Sequence, residues 1–329
     1  MAGEIGQAEK GFKIFMLFDL GFRPFFILAG TSAILLIVSW LTYFNGMSGY
    51  ASYYGAYPWH SHEMIFGYTM AVIAGFLLTA VRSWTGIETV RHSKLAGLVG
   101  LWILGRLFPF FYGGIPNWLI AVVDLSFLPA IIIAIGIPLI KSNNQRNFFF
   151  IPVFILFVIC NSVFHLTALG HLDETYKLFG LPVVSVAVNF SLGLVMLIIT
   201  VIGGRVIPLF TQSALTSYKA RTNRWVEYLS IFSVLIFVIV FSFVNVNPVL
   251  QCITASFAAV INLLRLSTWY SNSIWRHPLV WILHVSYAWL VLAYGLFALE
   301  TFFVMVGKPA LHALTVGTIG GLTLGMMVR

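Results

Sequence analysis

The chain has 329 residues, of which 60% are hydrophobic, 16% aromatic and only 9% charged, and its mean hydropathy is +0.96. That composition excludes a soluble globular protein and points to an integral membrane protein. A net charge of +8 and a pI near 9.6 do not indicate nucleic acid, because the basic residues are scattered singly or in twos and threes between apolar runs; membrane topology accounts for them.

Apolar runs long enough to cross about 30 Å of hydrocarbon, roughly 20 residues each, recur along the whole chain. Residues 1–19 form a short polar segment, and the first apolar run lacks a small-residue cleavage site, so it is expected to be a retained span. Span 1 is predicted at about 24–44, and an uncharged Gly-, Ser- and Tyr-rich loop leads to span 2 at about 59–81. Spans 3, 4 and 5 follow at about 95–111, 118–140 and 148–169, with Gly113-Gly114-Ile115-Pro116-Asn117 as the tight turn between the first two. Span 6 is placed at about 181–203, ending at Gly203-Gly204-Arg205 before the longest hydrophilic loop. Spans 7 to 10 are placed at about 226–244, 249–267, 279–301 and from 310 to the C-terminus.

With the N-terminus inside, this order gathers Arg82, Arg91, Lys94, Lys141, Arg146, Arg205, Lys219, Arg221, Arg224 and most other basic residues on the cytoplasmic side. Only Lys177 and Lys308 fall outside, and Arg106 lies within span 3. The expected fold is therefore all-α: a polytopic transmembrane helix bundle of about ten spans, N-terminus cytoplasmic, forming a single membrane domain.

The chemistry concentrates in Tyr57-Pro58-Trp59-His60-Ser61-His62-Glu63-Met64-Ile65-Phe66-Gly67, at the mouth of span 2. The topology collects His60, His62, His165, His171 and His312 near the outer face, and places His284 within span 9, nearer the inside. Imidazole is a common ligand for haem iron and copper, and ionisable groups at membrane depth mark functional positions. Any one of these histidines could instead hydrogen-bond across a helix interface.

Residues two apart on a helix point about 200° apart, so His60 and His62 are expected to serve different partners. His60, Glu63 and Met64 share a face by the i, i+3, i+4 rule. Glu63 could orient an imidazole, carry protons, bind a metal, or simply favour a helix N-terminus. Tyr287 flanks His284 and is expected within its reach. Arg106 and Asp124, in neighbouring spans, could form a buried pair. Arg23 and Arg205 sit at cytoplasmic helix ends, where topology explains them and a haem propionate is the alternative. Cys160 and Cys252 read as packing residues, and no CxxCH is present, so any haem would be held noncovalently.

At these residues the chain resembles the NnrS family of bacterial membrane proteins. The matching pieces are Phe22-Arg23-Pro24-Phe25-Phe26, the Trp59 to Gly67 stretch, Gly203-Gly204-Arg205-Val206-Ile207-Pro208-Leu209-Phe210-Thr211, Pro278-Leu279-Val280-Trp281-Ile282-Leu283-His284, and His312-Ala313-Leu314-Thr315-Val316-Gly317 through Met326-Met327-Val328-Arg329. The resemblance implies a haem- and copper-containing protein of the bacterial cytoplasmic membrane, linked to nitric oxide metabolism and protection from nitrosative stress, with its reaction unsettled. It also implies further spans beyond the point equivalent to Arg329, so this chain is expected to be shorter than the family at its C-terminus.

His60, His62, His284 and His312 are the expected ligands for haem or copper, with His165 and Glu63 as further metal ligands and Arg23 and Arg205 as further haem contacts. The expected partners are membrane lipid and a small nitrogen oxide; an electron donor, a homo-oligomer and turnover itself are left open by the residues. The competing reading is a transporter or channel for a metal, haem or small anion, with discontinuous helices at Pro58 and Pro208.

Overall fold

The structure, a computed structural model, describes residues 16–46, 53–215, 218–219, 221, 223–243, 247–303 and 308–328. Lys10, Lys13 and Arg329 lie outside the described residues. Ten helices among the described residues are long and apolar enough to cross a membrane. Hydrocarbon offers no water to the backbone, so each span must satisfy its own N–H and C=O groups, which a helix does. Polar side chains inside spans follow the same rule: Thr31, Ser162 and Thr200 donate back to carbonyls four residues earlier.

The chain packs as two compact units, residues 1–176 and 177–329. In the first, α1 (Phe22–Phe44) packs on α2 (Ala56–Thr85), α2 packs on α4 (Asn117–Lys141), and α4 lies against both α3 (His92–Leu107) and α5 (Phe150–Ala168). Of these spans, α2 is the most enclosed and α1 the least. Ile27, Ile34 and Leu35 of α1 are exposed, a burden in water and the expected surface in lipid. Gly86, in the left-handed conformation, ends α2 by donating its N–H to Arg82 O.

In the second unit a two-residue hairpin, β1 (Lys177–Leu178) and β2 (Leu181–Pro182), leads into α6 (Val183–Ala214). Next come α7 (Arg224–Phe243), α8 (Pro248–Trp269), α9 (Pro278–Leu299) and α10 (Pro309–Met327). Consecutive helices pack together, and α6 also touches α9. Asn247 caps α8, accepting from Leu250 N–H ahead of Pro248 at the first helical position.

Two local expectations shift. α6 does not stop near residue 203 but continues through Pro208 to Ala214; a proline removes one hydrogen bond, which packed neighbours in a membrane helix tolerate. The departures from α geometry lie not at Pro58 or Pro208 but in two π-helical stretches, Glu63–Thr69 in α2 and Ala313–Gly320 in α10. In the first, Thr69 Oγ1 donates to Met64 O at 2.7 Å and Trp102 Nε1 to Gly67 O at 3.2 Å, satisfying carbonyls of the widened turn. Such π turns gather at functional sites, and this one begins at Glu63.

Candidate functional site

Four helices and one loop of the first unit converge on a polar cluster inside an otherwise apolar bundle. α2 supplies His62 and Glu63, α3 supplies Arg106, α4 supplies Asp124, α5 supplies Asn161 and His165, and the segment before α2 supplies Tyr53 and Tyr54. His62, Glu63, Asp124 and His165 are each at most 3% exposed. Arg106 Nη1 lies 3.1 Å from both Glu63 oxygens, and its Nη2 bonds Asp124 Oδ1. That engagement turns Oδ2 of Asp124 toward the histidines, 3.2 Å from His62 Nε2 and 3.0 Å from His165 Nε2. Gly105 makes the approach possible, because a Cβ there would sit 2.8 Å from Asp124 Oδ1.

The hydrogen-bond directions decide what the cluster can hold. Glu63 only accepts when ionised, so His62 Nδ1, 3.0 Å from Glu63 Oε1, carries the proton in the neutral ring. His62 Nε2 is then a lone pair, and it faces Asn161 Oδ1 at 2.8 Å and Asp124 Oδ2 at 3.2 Å, both acceptors. The amide cannot be turned to relieve this without cost, because Asn161 Nδ2 donates to Asp124 Oδ2 at 2.8 Å. Three acceptors converge in a buried space, with Tyr54 OH at 3.2 Å as a donor to Nε2, and the 2.8 Å contact between Nε2 and Asn161 Oδ1 favours a cation there, either a proton on Nε2 or a metal ion between them. Charge gives the same answer: ionised Glu63 and Asp124 against Arg106 leave one negative charge when both imidazoles are neutral.

The two tyrosines complete the shell. Tyr54 OH is 3.2 Å from His62 Nε2 and 3.3 Å from His165 Nε2, and Tyr53 OH is 3.3 Å from His165 Nδ1. Both precede the spanning part of α2. Burial pushes the Tyr53 phenol up to about 12 and raises that of Tyr54 well above the ordinary tyrosine value, so both hydroxyls keep their protons at neutral pH.

Of the residues singled out from the sequence, His62, Glu63 and His165 meet here, and the Arg106 to Asp124 pair forms. His60 points elsewhere, its ring stacked on Trp40 with centroids 4.3 Å apart. Glu63 sides with His62 rather than with His60, as the widened turn beginning at Glu63 departs from α-helical spacing. Arg23 donates to Met16 O at 2.6 Å and lies near Asp19. Asn161, Tyr53 and Tyr54 were not among the expected residues. Asn161 stands one helical turn before His165, a spacing that could have drawn attention to it; the tyrosines lie at the end of the uncharged loop and carry no periodic signal.

In the second unit, Arg265 is 1% exposed and engages both oxygens of Glu227, Thr200 O at 2.7 Å and Tyr287 OH at 3.1 Å. Tyr287 OH donates to Asn262 Oδ1 at 2.7 Å, so its hydroxyl serves this network and not His284. His284 has Nδ1 3.0 Å from Val280 O and Nε2 3.3 Å from Trp269 O, placing backbone carbonyls at both ring nitrogens. His312 is exposed, with Nδ1 3.1 Å from Lys308 O, and Arg205 is half-buried on α6.

Imidazole nitrogen with carboxylate oxygen is a donor set that suits copper(II), and also zinc or iron(II). His62, Asp124 and His165 each offer one atom, all within 4.8 Å of one another. Glu63 on His62 Nδ1 and Tyr53 on His165 Nδ1 are the outer partners that metal-binding histidines commonly have. The other histidines expected as haem ligands are not part of this cluster: His60 stacks on Trp40, His284 faces backbone carbonyls and His312 is exposed.

Fold and site together define a polytopic membrane protein with a buried histidine–carboxylate centre. The chain matches the NnrS protein family over residues 16–329 and belongs to it. At family level this makes it a membrane protein associated with haem, copper and nitric oxide. No curated protein and no solved structure matches it.

Proposed function

We propose that this protein binds copper at His62, Asp124 and His165 and acts in nitric oxide metabolism and protection from nitrosative stress in a bacterial cytoplasmic membrane. The observation that carries the metal assignment is His62 Nε2, whose neutral lone pair faces two oxygen acceptors in a buried space. Glu63 fixes the tautomer, Arg106 holds Asp124 by its other oxygen, and Asn161 braces the oxygen that faces the imidazoles. Copper bound there would supply a Lewis-acidic, redox-active centre for a small nitrogen oxide. The surrounding side chains keep bulk water from the donors, each buried to within a few per cent.

The test is copper content and electron paramagnetic resonance of the detergent-purified chain after Cu(II) loading. Wild type should hold a Cu(II) with nitrogen hyperfine structure that His62→Ala and His165→Ala abolish. An equal copper content in all three proteins would sink the assignment. Nitric oxide sensitivity of cells carrying the same variants connects the centre to physiology.

A second reading, transport of a metal or small anion, draws on the two π-helical stretches inside α2 and α10, since interrupted helices are a feature of transporters. Copper lost on purification but taken up by proteoliposomes would favour it.

A further inference from the structure

The geometry points to Tyr54 as a fourth metal ligand, making the centre a two-histidine, one-aspartate, one-tyrosinate site. This rests on the metal reading above and adds an oxygen donor that no acidic residue supplies. The four candidate donor atoms form a closed ring: Asp124 Oδ2 to His62 Nε2 at 3.2 Å, His62 Nε2 to Tyr54 OH at 3.2 Å, Tyr54 OH to His165 Nε2 at 3.3 Å, and His165 Nε2 back to Asp124 Oδ2 at 3.0 Å. Neighbouring donors 3.0 to 3.3 Å apart around such a ring leave room at its centre for a metal at ordinary metal–nitrogen and metal–oxygen bond lengths.

Tyr54 is placed for the role by packing rather than by chance reach. It is 5% exposed, its ring stacks on His62 with centroids 4.3 Å apart, and its hydroxyl touches both Nε2 atoms. Tyr53 makes a useful contrast. Its hydroxyl meets His165 at Nδ1, the nitrogen turned away from Asp124, so it orients the ring and does not face the metal position. When Tyr54 binds as phenolate, the metal–oxygen bond replaces the phenolic O–H and one proton leaves to bulk solvent. A phenolate adds a hard oxygen donor, and with Asp124 the donor set carries two negative charges, enough to neutralise Cu(II).

The experiment loads the full chain with Cu(II) in detergent and records optical and electron paramagnetic resonance spectra for wild type, Tyr54→Phe, Tyr53→Phe and His165→Ala. Wild type should show a visible phenolate-to-copper charge-transfer band. Tyr54→Phe should lose that band and bind Cu(II) at least about tenfold more weakly, while Tyr53→Phe, which removes only the hydroxyl on His165 Nδ1, weakens binding but shows the band once copper is bound. Should Tyr54→Phe misfold, wild type grown with 3-fluorotyrosine gives an independent readout, because the band must shift if a phenolate is bound. Copper that depends on His165 with no charge-transfer band, or with a band unchanged in Tyr54→Phe or unshifted by fluorination, overturns the tyrosinate while leaving the metal reading intact. Copper retained undiminished in His165→Ala overturns both.

Discussion

Replacing Arg106 with leucine would leave Glu63 and Asp124 as buried carboxylates without their guanidinium. Both are nearly inaccessible, and the arginine side chain is itself 10% exposed, so water cannot take over the role. At 3.1 Å and an effective dielectric constant of about 20, the attraction to Glu63 alone is about 5 kcal/mol, much of it offset by desolvation. Breaking a buried pair while keeping its partner costs about 3–5 kcal/mol, or about two to three and a half decades in the unfolding equilibrium. Denaturant unfolding in detergent, with Arg106→Leu, Glu63→Gln and the double variant, measures this. The double variant should recover a large part of the loss, since neutralising Glu63 removes one of the stranded charges. Cu(II) should stabilise Arg106→Leu more than wild type, because the metal replaces a missing positive charge beside Asp124. A single variant within about 1 kcal/mol of wild type, or a double variant no better than the single, would refute the charge argument.

Gly105→Ala puts a methyl 2.8 Å from Asp124 Oδ1; overpacking of this kind costs about 1–3 kcal/mol, and the displaced carboxylate should weaken copper binding, read by competition with a chelator. Arg265→Met in the second unit should cost less than Arg106→Leu, since the Glu227 side chain it strands is 28% exposed and can be hydrated, which the same unfolding assay compares directly. The Tyr53 phenol, raised by burial to about 12, stays protonated in the folded chain after the unfolded chain has lost its proton near 10.0. The folded state then binds more protons, so stability falls as pH rises from about 10 to about 12, and Tyr53→Phe should remove that part of the slope.

The spans were legible because lipid imposes one requirement on backbone and side chains alike, and apolar length satisfies it. Polar residues inside the spans were legible only where they carry a charge or an imidazole. Arg106 and Asp124 stood out as costly groups in neighbouring helices, and His60 and His62 were separable by helical spacing, with Trp40 stacking and the buried cluster as their respective partners. Asn161 and Tyr54 are neutral, and neutral polar groups in or beside an apolar run read as ordinary interface residues. The fit of α3 against α4, where Gly105 admits Asp124, is a packing fact that no periodicity carries. The π turn was illegible for a related reason: the segment from Glu63 to Thr69 is compatible with an α-helix, and its widening is visible only through Thr69 and Trp102 bonding the displaced carbonyls.

Charge balance separates the two buried networks and is the reason the metal is proposed for one of them and not for the other. In the second unit Glu227 and Arg265 cancel, and the remaining contacts of the guanidinium go to Thr200 O and the Tyr287 hydroxyl. A cation entering there would meet an already neutral pair and the guanidinium's own charge. In the first unit two carboxylates share one guanidinium, and the uncompensated oxygen, Asp124 Oδ2, faces two imidazole nitrogens and a phenol. The surplus negative charge and the converging donors lie at the same point. Substituting Asp124→Asn separates them: it restores neutrality while keeping an oxygen in place. If charge is what draws the metal, copper affinity should drop by at least about tenfold with the fold intact; unchanged affinity would mean that donor geometry alone suffices.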